Sequence, residues 1–330
     1  MEIGTKEGWR EYVDEAYERP IPVATEELAA MSFGDRALYN QARAQYTQAG
    51  AFVKTPQFRT VQAVVRDRVM LNRYRQVGKL GVIVSGEPGQ GKTTTLLQIG
   101  KEHELRRRET GHASAGKGKL PVVYVAVPAQ CSAKALLQEF ARFVGLPVLT
   151  RMTFGNLLTM VANALRSCST ELILLDDVHH LDLQYRHNIE ASDMLKQLSE
   201  RCGGTFVYAG IAVEDSGLLS GSRGGQVSKR FELHTAHPFQ ITSKEGRADW
   251  GDLLLALEDS LCLLNQRSGA ILDAAKDLHR LTGGEIGLLK DVLQLAALHA
   301  IDDGTEMLDL ADFSREVAAR QGARKPRATV

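Results

Sequence analysis

The chain has 330 residues, and its 44% hydrophobic and 24% charged residues are typical of an ordinary globular protein of about two domains. Its 40 basic and 40 acidic residues cancel, which excludes a uniformly cationic nucleic-acid coat, and no uncharged run approaches the ~20 residues that span a bilayer. The polar, acidic start does not resemble a secretory or transit peptide, so we expect a cytoplasmic protein without membrane contact.

Charge is distributed unevenly along the chain. Residues 1–35 carry nine acids and three bases, whereas residues 36–79 carry nine bases opposed by Asp67 alone. The last sixteen residues have a net charge of +4, which is typical of a frayed, solvated tail. Because the 36–79 segment directly precedes the strongest motif of the chain, we interpret its excess charge as a local patch for a phosphate backbone.

Short apolar runs alternate with helical patterns between about residues 80 and 240. Strands are predicted at 80–85, 122–127, 172–175 and 205–209, with a weak fifth at 231–233. Helices are predicted at 92–108, 132–144, 154–165 and 189–202, the second with Ser132 as its N-cap. Strands that alternate with helices of this length predict a parallel sheet covered on both faces.

Beyond about residue 245 the pattern is purely helical. Helices are predicted at 253–264, 271–281, 286–301 and 310–319, and no strand is predicted there. The fold class that follows is an α/β domain with a small C-terminal all-helical domain.

Cysteine and histidine spacing does not indicate a metal site. The four cysteines are far apart, with no C-x-x-C pair: Cys131, Cys168, Cys202 and Cys262. We therefore interpret them as reduced, mostly buried packing residues. His179 and His180 lie near His187, but adjacent residues point to different sides of any regular element, which disfavours a shared metal ion.

The strongest motif lies between the first predicted strand and the following helix. It matches the pattern G-x-x-x-x-G-K-[ST] and extends to Thr94: Gly86, Glu87, Pro88, Gly89, Gln90, Gly91, Lys92, Thr93 and Thr94. Glycines at these positions let backbone N–H groups cradle phosphates, and the helix N-terminus favours the anion. Lys92 is predicted to reach the β- and γ-phosphates, and the Thr93 hydroxyl to bind Mg²⁺. The motif predicts ATP and Mg²⁺ as cofactors.

A second motif closes the third predicted strand. Four aliphatic residues run into Asp176 and Asp177, about eighty positions after the first motif. Asp176 is predicted to hold Mg²⁺ through its water shell, and Asp177 to polarise the attacking water as general base. The alternative is that the pair only opens a turn.

These motifs resemble those of AAA+ ATPases, and the likeness is strongest to the TniB/TnsC transposition regulators, with IstB more distant. The segments that carry it are K-T-P at 54–56, V-V-Y-V-A-V-P at 122–128, D-D-V-H-H-L at 176–181 and T-G-G-E-I-G-L-L at 282–289. Together they cover roughly residues 50–305.

The resemblance implies a fold, a domain division and a function. It implies an AAA+ domain over 51–240, an N-terminal extension over 1–50 that is acidic then basic and partly helical, a helical lid over 241–320 and a disordered basic tail over 321–330. The implied function is an ATP-dependent transposition regulator that oligomerises as a ring or filament on double-stranded DNA. It would select the target and recruit or activate a DDE transposase, together with a target-selection adaptor protein.

Two alternatives stay open beside this function. One is a replication-initiator or helicase-loader AAA+ ATPase, since IstB-like sequences grade into that group. The other is an ATP-binding switch scaffold with little or no hydrolysis. The second is allowed because the fourth strand ends without a polar phosphate sensor, and because Gly287 replaces the usual lid arginine, for which Lys290 is a weak substitute.

Further site residues follow from the resemblance alone. Asp177 stands where AAA+ proteins usually have Glu, which implies slow hydrolysis that DNA or a partner stimulates. Arg230 is the favoured trans-acting arginine finger, with Arg223 in reserve. DNA contacts are implied for three residues that flank helices: Lys134, Arg151 and Thr153.

Overall fold

A computed structural model describes residues 2–50, 52–111, 118–148, 151–181, 188–215, 229–308, 311 and 313–317. The chain forms two compact units. One, the α/β unit, contains the chain up to Glu15 and Gln57–His237. The other, the helical unit, contains Ala16–Pro56 and the described residues from Pro238 onward. The N-terminal fifty residues are therefore divided between the two units.

A five-stranded parallel sheet forms the centre of the α/β unit. Its strands are β1 (Gly81–Ser85), β2 (Val122–Ala126), β3 (Leu172–Asp176), β4 (Thr205–Gly210) and β5 (Phe231–Thr235). They are ordered β2-β3-β4-β1-β5. The weak fifth strand is confirmed, and it pairs with β1 in register from Gly81 opposite Phe231 to Ser85 opposite Thr235.

Helices alternate with these strands as the periodicity predicts. Helices within the described residues include α1 (Lys6–Asp14), α2 (Thr25–Ala30), α3 (Phe33–Gln45), α4 (Pro56–Asn72), α5 (Lys92–Glu109), α6 (Ala133–Val144), α7 (Phe154–Ser167), α8 (Asn188–Cys202), α9 (Lys244–Ser260), α10 (Ala270–Asp273), α11 (Ala275–Thr282) and α12 (Ile286–Asp303). Every residue of β1, β3 and β4 is buried, as expected of a sheet covered on both faces. Within the described residues, no helix is long and apolar enough to cross a membrane.

Polar caps fix where α6 and α7 begin. The Ser132 hydroxyl accepts the Ala135 N–H at 3.2 Å, which confirms the predicted N-cap of α6. The Thr153 hydroxyl accepts the Asn156 N–H at 3.3 Å at the start of α7. Gly145 ends α6 in the left-handed conformation, with φ of 74°.

The helical unit differs from prediction in its helix bounds. The helix predicted at 253–264 is α9, which begins nine residues earlier because the Ser243 hydroxyl caps it through the Gly246 N–H at 2.9 Å. It ends at Ser260, since Cys262 takes a left-handed φ of 55°. The predicted helix 271–281 is interrupted at Ala274 and forms α10 and α11. Of the predicted helix 310–319, the structure describes residues 311 and 313–317, which are all helical, and the other four residues lie outside the described part of the chain.

The cysteines are free thiols in both units. Cys131 and Cys202 are buried, whereas Cys168 and Cys262 are only partly buried. The prediction of reduced cysteines is therefore confirmed, and burial holds for half of them.

The basic excess of residues 36–79 does not act as one free patch. Three of its arginines are paired with acids that lie far away in the sequence: Arg43 with Glu306, Arg68 with Glu232 and Arg73 with Glu171. Arg43 is fully buried, so it cannot contact a phosphate backbone. The interpretation of the segment as a phosphate-binding patch is wrong for Arg43, because sequence composition does not reveal charge pairing across hundreds of residues.

Arg43 and Glu306 form a buried ion pair within the helical unit. Its two guanidinium nitrogens donate to the two carboxylate oxygens at 2.6 and 2.8 Å, and both side chains are at most 1% exposed. Removing one partner from such a pair leaves a buried charge, which typically costs about 3–5 kcal/mol. We expect Arg43→Ala to lower the free energy of unfolding of the helical unit by at least ~3 kcal/mol, measured by urea denaturation.

The exposed pair Arg280–Asp277 provides the matched control for this prediction. Its side chains are 75% and 45% exposed, so Arg280→Ala should change the free energy of unfolding by less than ~0.5 kcal/mol. Equal effects of the two substitutions would contradict a structural role for the buried pair.

Candidate active site

The predicted phosphate-binding loop, residues 86–91, connects β1 to α5, and its backbone requires glycine at two positions. Gly86 has φ of 154°, and a Cβ there would lie 2.6 Å from the Ala236 carbonyl oxygen. Gly91 is left-handed, with φ of 75°, directly before the first residue of α5. The Gly86 N–H donates to the Gly210 carbonyl of β4 at 3.2 Å, which ties the start of the loop to the neighbouring strand. The backbone conformation at Gly86 and Gly91 therefore explains why the motif has glycine at both positions.

Lys92 folds back across this loop. Its Nζ donates to the Glu87 carbonyl at 2.8 Å, and the side chain is buried. Burial lowers the pKa of Lys92, while the charges of Asp176, Asp177 and Glu87 oppose that shift. The two sequence motifs, about eighty positions apart, therefore share one electrostatic environment at the carboxyl ends of β1 and β3.

Asp176 is the last residue of β3 and is only 2% exposed. Burial raises the pKa of Asp176, and the charge of Asp177 adds to that effect. Hydrogen bonds from Thr93, the Asp177 N–H and Tyr124 oppose it. The Tyr124 hydroxyl lies 3.1 Å from Oδ2, and the Asp177 N–H lies 3.0 Å from Oδ1. Burial beside this carboxylate also raises the pKa of Tyr124, so its phenol stays protonated and donates.

The donor set at this point fits Mg²⁺. Thr93 and Asp176 are hydrogen-bonded to each other and offer only oxygen ligands, which a hard divalent cation prefers. Burial and the charge of Asp177 both disfavour the charged form of Asp176. A bound cation would offset this electrostatic cost. Thr93 and Asp176 are therefore the residues that would hold Mg²⁺, as the sequence predicts.

Asp177 has a backbone conformation that explains its identity. Its φ of 55° and ψ of 38° are left-handed, and it precedes a short 3₁₀ helix, Val178–His180. Asp and Asn tolerate this region better than residues with longer side chains do. The left-handed backbone at position 177 therefore favours Asp over the Glu that the resemblance leads us to expect there. The side chain is half-buried beside Asp176 and interacts with the charge of Lys92.

The histidines after Asp177 contact backbone groups. His179 Nδ1 accepts the Ile211 N–H at 3.3 Å, which links this segment to the end of β4. His180 Nδ1 lies 2.9 Å from the Val127 carbonyl. Burial lowers the pKa of His179, which favours the neutral ring that accepts this bond. No group of three or more potential metal ligands of the His, Cys, Asp and Glu types occurs within the described residues.

Two polar contacts near the site were missed by sequence reasoning. Tyr124 is one; its only signal is a hydroxyl within an otherwise aliphatic strand. The other is Ser85, which is fully buried at the end of β1, donates to the Glu214 carboxylate and accepts the Val213 N–H at 3.1 Å. β4 itself ends in Gly210, which has no side chain. The polar side chain that contacts Ser85 of β1 is that of Glu214, four residues beyond the end of β4.

The described residues among the other predicted site residues make none of these contacts. Arg230, directly before β5, pairs with Glu200 of α8 at 3.3 Å and is about one third exposed. Arg223 lies outside the described residues. Lys134 is in the first turn of α6, and Arg151, which is exposed, lies two residues before the Thr153 N-cap of α7. The Thr153 hydroxyl is used as a cap. Their roles as finger and DNA contacts stay predictions.

The fold is that of AAA+ proteins, and part of the chain matches an AAA domain. A family model described as an AAA domain matches residues 75–214, which include the phosphate-binding loop and both acidic residues. The parallel sheet, with β4 between the loop strand β1 and the acidic strand β3, has the AAA+ fold and carries helices C-terminal to it. The predicted fold class is therefore confirmed.

Solved structures with the same fold include proteins of replication initiation. The Aeropyrum pernix ORC1 protein in complex with DNA aligns with a TM-score of 0.61 at 14% identity, over 81% of this chain and 66% of that one. The A. pernix ORC2 protein, in ADPNP–ADP complexes, aligns at 0.55 with 16% identity, over 96% and 73%. Domain III of Thermotoga maritima DnaA aligns at 0.50 with 13% identity, over 81% and 94%. At these identities the likeness shows the fold alone.

The chain spans slightly less than two thirds of the length of the ORC1 chain. No curated protein matches this chain in sequence.

Proposed function

We propose that this protein binds and hydrolyses ATP with Mg²⁺ and uses the cycle to assemble on double-stranded DNA, as a replication-initiator or helicase-loader ATPase. The observation that carries the proposal is the convergence of Lys92 and Thr93 with Asp176 and Asp177 at one edge of the sheet. The structural likeness to ORC and DnaA proteins favours the initiator class over the transposition regulator.

The residues at the site have distinct roles in this proposal. Backbone N–H groups of the loop and the N-terminus of α5 orient the phosphates, and Lys92 donates to their β- and γ-oxygens. Thr93 and Asp176 would hold Mg²⁺, which would supply positive charge beside the phosphates. Asp177 accepts the proton of the attacking water. Arg230 of a neighbouring copy is proposed to complete the site in trans.

DNA binding is proposed to depend on oligomerisation. A chain with no net charge has no bulk attraction for DNA, so a weak local contact must repeat across subunits to hold a duplex. Lys134 in the first turn of α6 and Arg151 shortly before α7 are the proposed contacts. The A. pernix ORC1 structure, which contains DNA, gives this class of partner its support.

We expect tight binding to duplex DNA only with ATP, because nucleotide would organise the subunit interface. Contacts to the backbone rather than to bases should give similar affinity on two unrelated duplexes and a steep loss of affinity with salt. Lys134→Ala or Arg151→Ala should weaken binding equally on both duplexes and reduce the log–log salt slope by about 1 per lost contact. Fluorescence anisotropy across a salt series measures both effects.

Lys119→Ala serves as the matched control for these substitutions. Lys119 is a surface lysine three residues before β2, at the end of the sheet where the strands begin. Its Nζ donates to the Ser169 hydroxyl at 2.7 Å. Its removal should leave the slope unchanged. Tight, salt-insensitive binding without nucleotide would contradict the assembly proposal, and so would no binding under any condition.

A transposition regulator is the second candidate, since the segments D-D-V-H-H-L and T-G-G-E-I-G-L-L favour it. Both candidates share the ATP and DNA chemistry and differ in their protein partner. A DDE transposase encoded beside this chain, and bound by the purified protein only with ATP, would favour the second candidate. A replication protein encoded beside this chain, and bound by the purified protein only with ATP, would favour the replication-initiator or helicase-loader function.

A further inference from the structure

A stack of aromatic side chains leads from the N-terminal helix to the magnesium-binding carboxylate. Trp9 of α1 is fully buried, and its ring lies nearly parallel to that of Tyr124, with centroids 6.2 Å apart and an interplanar angle of 14°. The Tyr124 hydroxyl in turn donates to Asp176 Oδ2 at 3.1 Å. All three residues lie in the α/β unit.

Trp9 is held in place by the helix that follows the phosphate-binding loop. Its Nε1 donates to Glu104 of α5 at 2.5 Å, and both groups are buried. Gly100 of α5 leaves room for the ring, since a Cβ there would lie 2.7 Å from Trp9 Cη2. Lys101 of α5 anchors the other end of α1 by donating to the Tyr12 and Glu15 carbonyls at 3.0 and 2.6 Å. α1 is thus attached to α5 along its length.

We propose that Tyr124 is a positioning residue for Asp176, and that Trp9 of α1 keeps the Tyr124 ring in the required orientation. A carboxylate oxygen has two lone-pair sites, and Tyr124 occupies one of them on Oδ2. The donated hydrogen bond fixes the rotation of the carboxylate and leaves the remaining sites for the hydrated cation. Partners of this kind orient metal ligands, and their loss typically weakens metal binding about 10–100-fold. The inference rests on the proposed Mg²⁺–ATP function of the site.

The test is the substitution Tyr124→Phe, which removes the hydroxyl and retains the ring that stacks on Trp9. Binding of a fluorescent ATP analogue would be titrated with Mg²⁺ in the full chain. We expect affinity without Mg²⁺ to stay within about twofold of the parental value. The Mg²⁺ concentration at half-maximal enhancement should rise on the order of 10-fold. The hydrolysis rate should recover at high Mg²⁺.

Tyr208→Phe is the matched control. Tyr208 of β4 is also a buried strand tyrosine, and its ring stacks on Phe231 with centroids 4.8 Å apart, but it does not contact Asp176 or Asp177. Its replacement should leave the Mg²⁺ titration unchanged. An unchanged titration for Tyr124→Phe would overturn the proposal, and so would an equal loss of affinity with and without Mg²⁺, since that indicates a general structural defect.

Trp9→Leu tests the connection to α1. In protein shown to be folded by its melting transition, this substitution should shift the Mg²⁺ titration in the same direction as Tyr124→Phe. The double variant should show no additional shift, because Trp9 acts through the Tyr124 hydroxyl. Additive shifts would overturn the role of Trp9. Parental protein whose nucleotide binding ignores Mg²⁺ would contradict the proposed function itself, whereas a normal parental response with an unaffected Tyr124→Phe variant contradicts only this inference.

Discussion

Lys92→Ala is expected to abolish ATP binding, with an affinity loss of about 100-fold or more. Lys92 is the first residue of α5, and its buried ammonium lies across the phosphate-binding loop. Charge-assisted hydrogen bonds to two phosphates are worth about 1.5–3 kcal/mol each, and every 1.4 kcal/mol corresponds to a factor of ten. Isothermal titration with ATP and Mg²⁺ measures the loss.

Lys119→Ala controls for the removal of one positive charge from the same unit. The Lys119→Ala variant should bind ATP as the parental protein does. Lys119 lies before the amino-terminal end of β2, whereas the phosphate-binding loop follows the carboxyl end of β1. Retained ATP affinity in Lys92→Ala would show that the loop does not bind the nucleotide phosphates, and the proposed function would then be wrong.

Asp177→Asn is expected to leave ATP binding intact and to lower the hydrolysis rate by about 10²–10⁴-fold, the usual contribution of a general base. Asn is the appropriate replacement because it tolerates the left-handed φ of 55° and has nearly the same shape as Asp. Asp177→Glu is less informative, since a longer side chain adds strain at this conformation. A phosphate-release assay with and without DNA measures the rate.

Asp67→Asn is the control for the loss of a carboxylate. Asp67 is exposed on α4 and lies 3.9 Å from Arg66 in a weak surface pair, so its replacement should not change the rate. If Asp177→Asn hydrolyses ATP at the parental rate, Asp177 serves only to open the turn before the 3₁₀ helix. An equally inactive parental protein would favour the switch scaffold without hydrolysis.

Local patterns were sufficient to predict most of the fold and the phosphate-binding loop. Strand and helix periodicity repeats within a few residues, so the five strands and the alternating helices could be located, including Ser132 as the cap of α6. The loop motif could be recognised because all of its residues lie within one turn between β1 and α5. The helix bounds in the helical unit were less certain, since the first turns of α9 are polar and exposed and carry no apolar period.

Only the tertiary structure decided which distant side chains meet. Arg43 belongs to a basic segment in the sequence, yet folding places it in a buried pair with Glu306, 263 positions away. The stacking of Trp9 on Tyr124 and the hydrogen bond from Tyr124 to Asp176 could not be predicted from the sequence, because both aromatic residues are typical of a protein core. Side-chain pairing across long separations has no period along the chain. The sequence therefore determined the elements and the loop chemistry, and the packing of those elements determined how the acidic pair is supported.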